Sequence, residues 1–494
     1  MNSIVRTLAL VAGVALLAGC GVAPSYERPA MDIAEKGFVA APSVGPVEGL
    51  PGAKQEWWLD FGSPKLDALV SEALTSAPDL EAAAARVLEA RAQFGGQRWN
   101  QLPSANLAGS YNESKRNLIG FGIPTTITSS QWDVSVQASW ELDVWGRLSN
   151  TRRSAWAGMM ATEANQRAVV QGLIADVVRS WLEVKQLVEL RELGRTTLST
   201  YKKSERMVAE RYTAGVRPSS EVHLSRQNVA SARAALAQTE QTLADARRRL
   251  ELLLGRYPAG RIVVGETSLT DLPDLPSVPL GLPSDLLERR PDVIAAEMNL
   301  LGSYARVGAA RADLFPRLSL SGSSGWSSPE SGELFKSSTS VWSLAGNLAM
   351  PLLNRGARKA QVGVADAQRE QTRVAYVKTV LGAFRDVESA LDADHYQNER
   401  LEALRSSVVH AERSTEVIDE RYRQGLDSYL QVLDSQRRLL QAENDRLRTE
   451  WARRVARVNL IQALGGDWDD PAETPSIDDS DAHASIQREG TDNE

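Results

Sequence analysis

Two hydrophobic periodicities alternate along this chain, and the alternation occurs twice. From Trp132 to Leu142 apolar residues fall at every second position (Trp132, Val134, Val136, Ala138, Trp140, Leu142), with Gln131, Asp133, Ser135, Gln137, Ser139, Glu141 and Asp143 between them. A period of two puts one set on each face of a β-strand. The pattern returns at Trp342, Leu344, Gly346, Leu348 and Met350, against Ser343, Ala345, Asn347 and Ala349. Each run follows a weaker one, Ser104 to Tyr111 and Arg317 to Trp326, across Gly/Pro/Ser-rich loops. Two hairpins, hence four strands, are predicted.

The rest of the chain follows helical spacing. No proline interrupts Gly146 to Gly215, and Arg147 to Tyr212 reads as one helix of 66 residues, roughly 100 Å at the α-helical rise. Ala357 to Tyr422 is its twin. Each turns at Gly215-Val216-Arg217-Pro218 or Gly425-Leu426-Asp427-Ser428 and returns as a second helix to Leu254-Gly255 or Leu464-Gly465. On the returning arm Leu447, Trp451, Val455, Val458 and Ile461 form an apolar seam at three/four spacing. Shorter helices, Pro64 to Ala77 then Pro78 to Gln101, and Pro283 to Arg290 then Pro291 to Leu314, lead into the hairpins.

These parallels reflect a duplication. Pro78, Asp79, Arg98, Pro103, Leu107, Gly109 and Ser110 recur 213 positions later as Pro291, Asp292, Arg311, Pro316, Leu320, Gly322 and Ser323. Past the hairpin tips the offset is 210, as in Leu142/Leu352, Gly172/Gly382, Tyr212/Tyr422, Gly215/Gly425 and Gly255/Gly465. A register that breaks only inside the hairpins describes a repeated unit with tolerant loops at one end. The expected organisation is a first repeat at 64–257 with its hairpin at about 103–145, a linker at 258–283, and a second repeat at 284–466 with its hairpin at about 316–351.

At the start, Arg6 precedes an apolar stretch from Leu8 to Ala18, too short for the roughly 20 residues of a membrane helix and suited to a signal-peptide core. It ends in Leu17-Ala18-Gly19-Cys20, and Cys20 is the only cysteine. Residues 1–19 are expected to be a lipoprotein signal peptide, with Cys20 lipidated and 20–63 an extended segment. Formal charge is −7, but residues 467–494 hold ten acidic groups and one Arg. That tail, rich in Asp and interrupted by Pro471 and Pro475, is expected to be disordered. The near-neutral body carries no nucleic-acid signature.

The exported start recasts the strands. A soluble half-buried sheet would also alternate, but strands of about 10 residues with Trp132, Trp140, Trp145 and Trp342 suit a membrane barrel with an interfacial aromatic girdle. Four strands cannot close alone, because membrane barrels begin at about eight and lipid tolerates no open edge. Two copies would supply eight strands and three copies twelve. An enzyme reading fares poorly: His223, His395, His410 and His483 form no metal-ligand spacing, and no phosphate loop, nucleophile elbow or cysteine nucleophile is present. A coiled-coil envelope lipoprotein would account for the lipobox and the helices, though not for two tryptophan-bearing strand pairs.

These residues resemble the trimeric outer-membrane efflux channels of the TolC-like kind, in particular the lipidated OprM- and NodT-like branch. The resemblance rests on Leu17-Ala18-Gly19-Cys20, on Trp140-Glu141-Leu142-Asp143-Val144-Trp145-Gly146-Arg147, and on Arg211-Tyr212-Thr213-Ala214-Gly215 with its copy Arg421 to Gly425. It also rests on Tyr429 to Arg437 and on Ala463-Leu464-Gly465-Gly466. It implies a mainly α chain whose trimer forms a twelve-stranded outer-membrane barrel continued by a long periplasmic α-helical barrel. No cofactor is implied. The tip turns, Gly215 to Pro218 and Gly425 to Ser428, would dock on a periplasmic membrane-fusion adaptor and an inner-membrane pump. The duct would carry drugs or other small toxic molecules, with metal efflux or type I protein secretion as alternatives. The family's periplasmic gate falls on Leu430 and Asp434, with Arg437 one turn on. The first turn carries Ser220 and Leu224 at the matching places, so the two turns are not expected to do the same job.

Overall fold

The computed structural model describes residues 22–29, 39–40, 56–120, 123–265, 267–275 and 289–466. The expected signal peptide, Cys20, the acidic tail and all but the last two residues of the expected helix Pro283–Arg290 lie outside them. The described elements are, in order, α1 (Pro64–Ser76), α2 (Pro78–Trp99), β1 (Ser104–Gly120), β2 (Ile123–Leu142), α3 (Arg147–Thr213), α4 (Ser219–Leu253), α5 (Pro291–Ala312), β3 (Arg317–Ser328), β4 (Ser340–Ala349), α6 (Arg355–Arg423) and α7 (Tyr429–Ala463). This is the mainly helical chain with two hairpins that the periodicities called for.

Glycines end the long helices where the sequence placed the turns. α3 runs for 67 residues and α6 for 69. At their ends Gly215 (φ 77°) and Gly425 (φ 82°) enter the left-handed region that costs glycine nothing. Val216 N–H then reaches back to Arg211 O at 3.0 Å, and Leu426 N–H to Arg421 O at 2.9 Å, closing the exposed carbonyl end. The restarts differ. Ser428 caps α7 through a reciprocal box with Gln431, whereas Pro218 precedes α4 with no side-chain cap.

The strands form one antiparallel sheet in the order β1-β2-β3-β4. β1 and β2 are 17 and 20 residues long, well beyond the lengths expected for them. Their outer pairs, from Asn112↔Gln131 to Gly120↔Ile123, extend past the β2–β3 ladder, which stops at Trp132↔Ser328. Alternation missed this ribbon because residues 112–117 and 126–131 are largely polar on both faces.

The chain divides into two compact units, each drawing on both repeats: one of 1–30, 85–163 and 295–378, the other of 31–84, 164–294 and 379–494. The repeat is therefore a unit of sequence rather than a separate body, because the two hairpins share one sheet. In the first unit an N-terminal strap is pinned by Glu297. Arg28 donates twice to its carboxylate (2.8 Å each) and Tyr26 Oη once (2.8 Å), with Tyr26 edge-on to Tyr304 at 5.5 Å. A carboxylate this buried needs such partners. In the second unit the core is built on fully buried Trp181 together with Phe61, Leu66, Leu69, Leu250 and Leu269. The inter-repeat linker is stitched there, with Trp181 Nε1 donating to Val264 O (3.0 Å) and Glu251 accepting N–H groups from Gly260, Arg261 and Ile262.

Candidate functional site

Strand register turns the alternation into two chemically opposite walls. Directly paired residues of neighbouring strands point to the same face, so Leu107, Val136, Ser324 and Trp342 form one row and Trp140, Leu320 and Gly346 another. Exposed Leu107, Val136, Trp342, Leu344 and Leu348 lie on this apolar face. The reverse face presents Asn106, Ser110, Gln137, Ser139, Ser321, Ser323, Ser343 and Asn347, with Asp133 held by the Ser327 hydroxyl. One wall suits hydrocarbon and the other water. Among the described residues β1 and β4 are both unpaired edges, and β4 is exposed throughout.

Aromatic rings mark both ends of the apolar wall, though not all are those the sequence singled out. Trp132 packs on Tyr111 (4.4 Å between centroids) at the outer end, and Trp326 meets Phe335 of the β3–β4 loop at 5.5 Å. Tyr111 and Trp326 continue the two-residue pattern and could have been read from it. Trp140, at the other end, donates Nε1 to Gln101 O at 3.0 Å. Trp145 departs from the expected girdle. It lies past the end of β2, stacks on Phe315 (4.8 Å, 24° between planes) and donates Nε1 to Pro316 O at 2.8 Å, so both its ring and its N–H belong to a strand-to-helix joint. The other members of Trp140–Arg147 build that joint too. Asp143 accepts the Leu148 and Ser149 N–H groups at the start of α3, Gly146 (φ 74°) makes the corner, and Arg147 pairs bidentately with Glu141 at 2.8 and 2.7 Å. Such capping by a carboxylate also suits the helix dipole.

The tip turns of the second unit are tied by unequal links. Arg211 crosses from the first turn to the second, donating to Tyr422 O and Arg423 O at 3.0 Å each, with its guanidinium 4.6 Å from the Tyr422 ring centroid. Arg217 approaches the same ring at 5.3 Å. Tyr422 is 1% exposed, whereas its twin Tyr212 is 48% exposed. Burial pushes the Tyr422 hydroxyl above its ordinary pKa, so it stays protonated. Arg421, the twin of Arg211, stays on its own turn and pairs with Asp427 at 2.7 Å. Below the turns Tyr201, Val208, Val222, Tyr422, Tyr429 and Val432 form a small apolar core.

Leu430 and Asp434 lie on the opposite side of α7 from that core. Both are exposed, one turn apart, and so stack on one helical face. Asp434 pairs with Arg438 at 2.9 Å, in a bridge whose side chains are 63% and 78% exposed. An ion pair so wet contributes little, so the carboxylate is readily released. Arg437 departs from the expected stack, because it donates to Asn228 Oδ1 on α4 at 3.2 Å. The i,i+4 spacing of Asp434 and Arg438 was the available signal for the pair that does form. Among the described residues no group of three or more His, Cys, Asp or Glu could hold a metal ion, and no helix is long and apolar enough to cross a membrane.

The sequence profile of the family described as Outer membrane efflux protein matches residues 69–256 and 282–466, one block for each repeat. The chain belongs to that family. It is 31% identical to the cation efflux system protein CusC of Escherichia coli O6:H1 over 453 residues, covering 92% of this chain and 96% of the relative. It is 33% identical to the solvent efflux pump outer membrane protein SrpC of Pseudomonas putida over 462 residues, covering 92% and 96%. Among solved structures it superposes on the open state of the MtrE outer membrane channel of Neisseria gonorrhoeae with a TM-score of 0.79 at 30% identity, covering 92% of this chain and 100% of that one. The family accounts for the two-walled sheet and the long helices as parts of an outer-membrane efflux channel.

Proposed function

We propose that three copies of the chain share a twelve-stranded barrel and form the outer-membrane duct of a tripartite efflux system, passing drugs, solvents or similar small toxic molecules outward. The single observation that carries this reading is the sheet: four strands with one apolar face, one hydroxyl- and amide-rich face and two free edges. In lipid such edges must be paired, and a barrel is the closure available. The apolar face meets lipid and the polar face lines the exit. Cys20 carries the lipid anchor. The turns Gly215-Val216-Arg217-Pro218 and Gly425-Leu426-Asp427-Ser428 meet the adaptor and pump, and Leu430 with Asp434 closes the periplasmic end. An apolar ring gates by excluding water, and an acidic ring favours cations.

Metal-cation efflux is a second reading, favoured by the likeness to CusC. Deletion and complementation separate the two. Strains lacking the chain should become sensitive to apolar drugs and solvents, with silver or copper salts as the alternative outcome. Unchanged sensitivity to every class, in cells that normally express the protein, would overturn the efflux reading.

A further inference from the structure

The N-terminal strap, residues 22–29, meets α5 at three points in reverse order. Arg28 and Tyr26 bond Glu297, Tyr26 stands edge-on to Tyr304 at 5.5 Å, and Ala23 closes on Gly308, where an added Cβ would lie 2.6 Å from Ala23 Cβ and 2.9 Å from Asn150 Cγ. The strap therefore runs antiparallel to α5, toward the start of β3 at Arg317. It is also drawn out. Ala23 to Arg28 is five residue steps, about 16 Å of extended chain, and Gly308 to Glu297 is eleven, about 16 Å of helix. Pro24 and Pro29 bias Ala23 and Arg28 toward extended backbone.

The duplication supplies the contrast. Carried back by 213 residues, Glu297 falls on Ala84, Tyr304 on Arg91 and Gly308 on Gly95. Neither a carboxylate for Arg28 nor a ring for Tyr26 stands at those places on α2, so the site is built on one repeat alone. Glu297 is 6% exposed, and a carboxylate so far from water depends on its donors staying in place. The Tyr304 ring also receives Arg369 of α6 at 5.3 Å.

We propose that this clasp gauges the lipid anchor: Glu297 is a positioning residue that holds Arg28 so that the strap is just long enough to set Cys20 at the base of the sheet. The inference rests on the reading of Cys20 as the lipidated residue. Cys20 stands three residues before Ala23, about 10 Å of extended chain. At the same pitch that matches about seven helical residues beyond Gly308, level with Phe315 and the start of β3. The apolar wall begins there, with Leu318 between Leu142 and Leu348. An acyl chain released at that height enters the membrane where the barrel does.

The test is made in lipid nanodiscs, with cleavage by glutamyl endopeptidase after Glu27 reading the clasp and palmitate labelling reading the anchor. Cleavage requires the strap to leave α5. Wild type should be labelled and resist, whereas Glu297→Ala, and Arg28→Ala with α5 untouched, should be labelled equally and cut roughly tenfold faster. Deleting Pro24 and Ser25 shortens the strap by about 7 Å. Acyl chains gain with every methylene they bury, so the membrane should keep the lipid and pull the clasp open, exposing Glu27. The same deletion in Cys20→Ser, exported behind a signal peptide that is cleaved without lipidation, should leave Glu27 protected. Inserting a second Pro-Ser after Ser25 should leave it protected in both backgrounds. A shortened strap that resists with lipid present, or is cut alike with and without lipid, would overturn the gauge. Resistance of both point variants would overturn the clasp. Wild type without palmitate yet resistant at Glu27 would remove the anchor and the gauge with it, and leave the clasp standing.

Discussion

Arg211→Ala is the sharpest perturbation of the tip. Arg211 is the one side chain of its turn whose guanidinium bonds two carbonyls of the other repeat, at 3.0 Å each, while stacking on Tyr422. Hydrogen bonds from a charged donor contribute about 1.5–3 kcal/mol each and a cation–π contact about 0.5–1. Discounted for the wet rim of the turn, their loss amounts to about 2–3 kcal/mol, or about 30- to 150-fold in the ratio of separated to joined tips. Arg421→Ala is the matched control, since it gives up an exposed pair with Asp427 on its own turn. Single-channel recording in planar bilayers reads the ratio as open time, and uptake of a bulky antibiotic by intact cells reads it in vivo. Arg211→Ala should open the channel and Arg421→Ala should leave it nearly closed. Equal behaviour of Arg211→Ala and wild type, or a larger effect from Arg421→Ala, would refute the reasoning.

Three further outcomes follow from particular residues. A Cβ at Gly325 would lie 2.1 Å from Val134 O and 2.5 Å from Ser135 Cα, so Gly325→Val should abolish the heat-resistant oligomer on gels, while Gly332→Val, with open space around it, should not. Glu251 has its pKa pushed up by burial and more than offset by three backbone N–H donors, leaving it below the ordinary carboxylate value. The stabilisation it gives is thus fully present above the unfolded carboxylate pKa and is lost as pH falls through the depressed folded one; thermal unfolding of Glu251→Gln should lie below wild type at pH 7 and converge with it in acid. Cys20→Ser should abolish lipid labelling yet leave some trimer in the outer membrane, because the strands anchor independently; a wholly soluble monomer would contradict the barrel.

Legibility followed the range of each interaction. Gly215 and Gly425 announced the turns because helix termination is local, and Trp132 to Leu142 announced the strand because alternation needs only neighbours. The outer ribbon was illegible because residues 112–117 and 126–131 largely lack the apolar half of the pattern. Trp145 looked like girdle until its partner Phe315, 170 positions away, was in place. The links of Arg211 to Tyr422 and of Arg437 to Asn228 are likewise long-range choices, and since both turns carry an arginine at the Arg211 and Arg421 positions, nothing in the duplication says which of those two crosses. The face shared by Leu430 and Asp434 was fixed by helical spacing alone, whereas the pairing of Asp434 with Arg438 and the turning of Arg437 toward Asn228 were not read from it.

The central claim, a shared channel closed at its periplasmic end by Leu430 and Asp434, is tested most directly by single-channel conductance of the purified protein in planar bilayers. Wild type should conduct weakly with a preference for cations. Leu430→Ala with Asp434→Ala should raise the conductance several-fold and weaken that preference, while Ser220→Ala with Leu224→Ala, the matching positions of the first repeat, should change little. A protein that forms no conducting unit, or a gate double variant identical to wild type in both conductance and ion preference, would contradict the account.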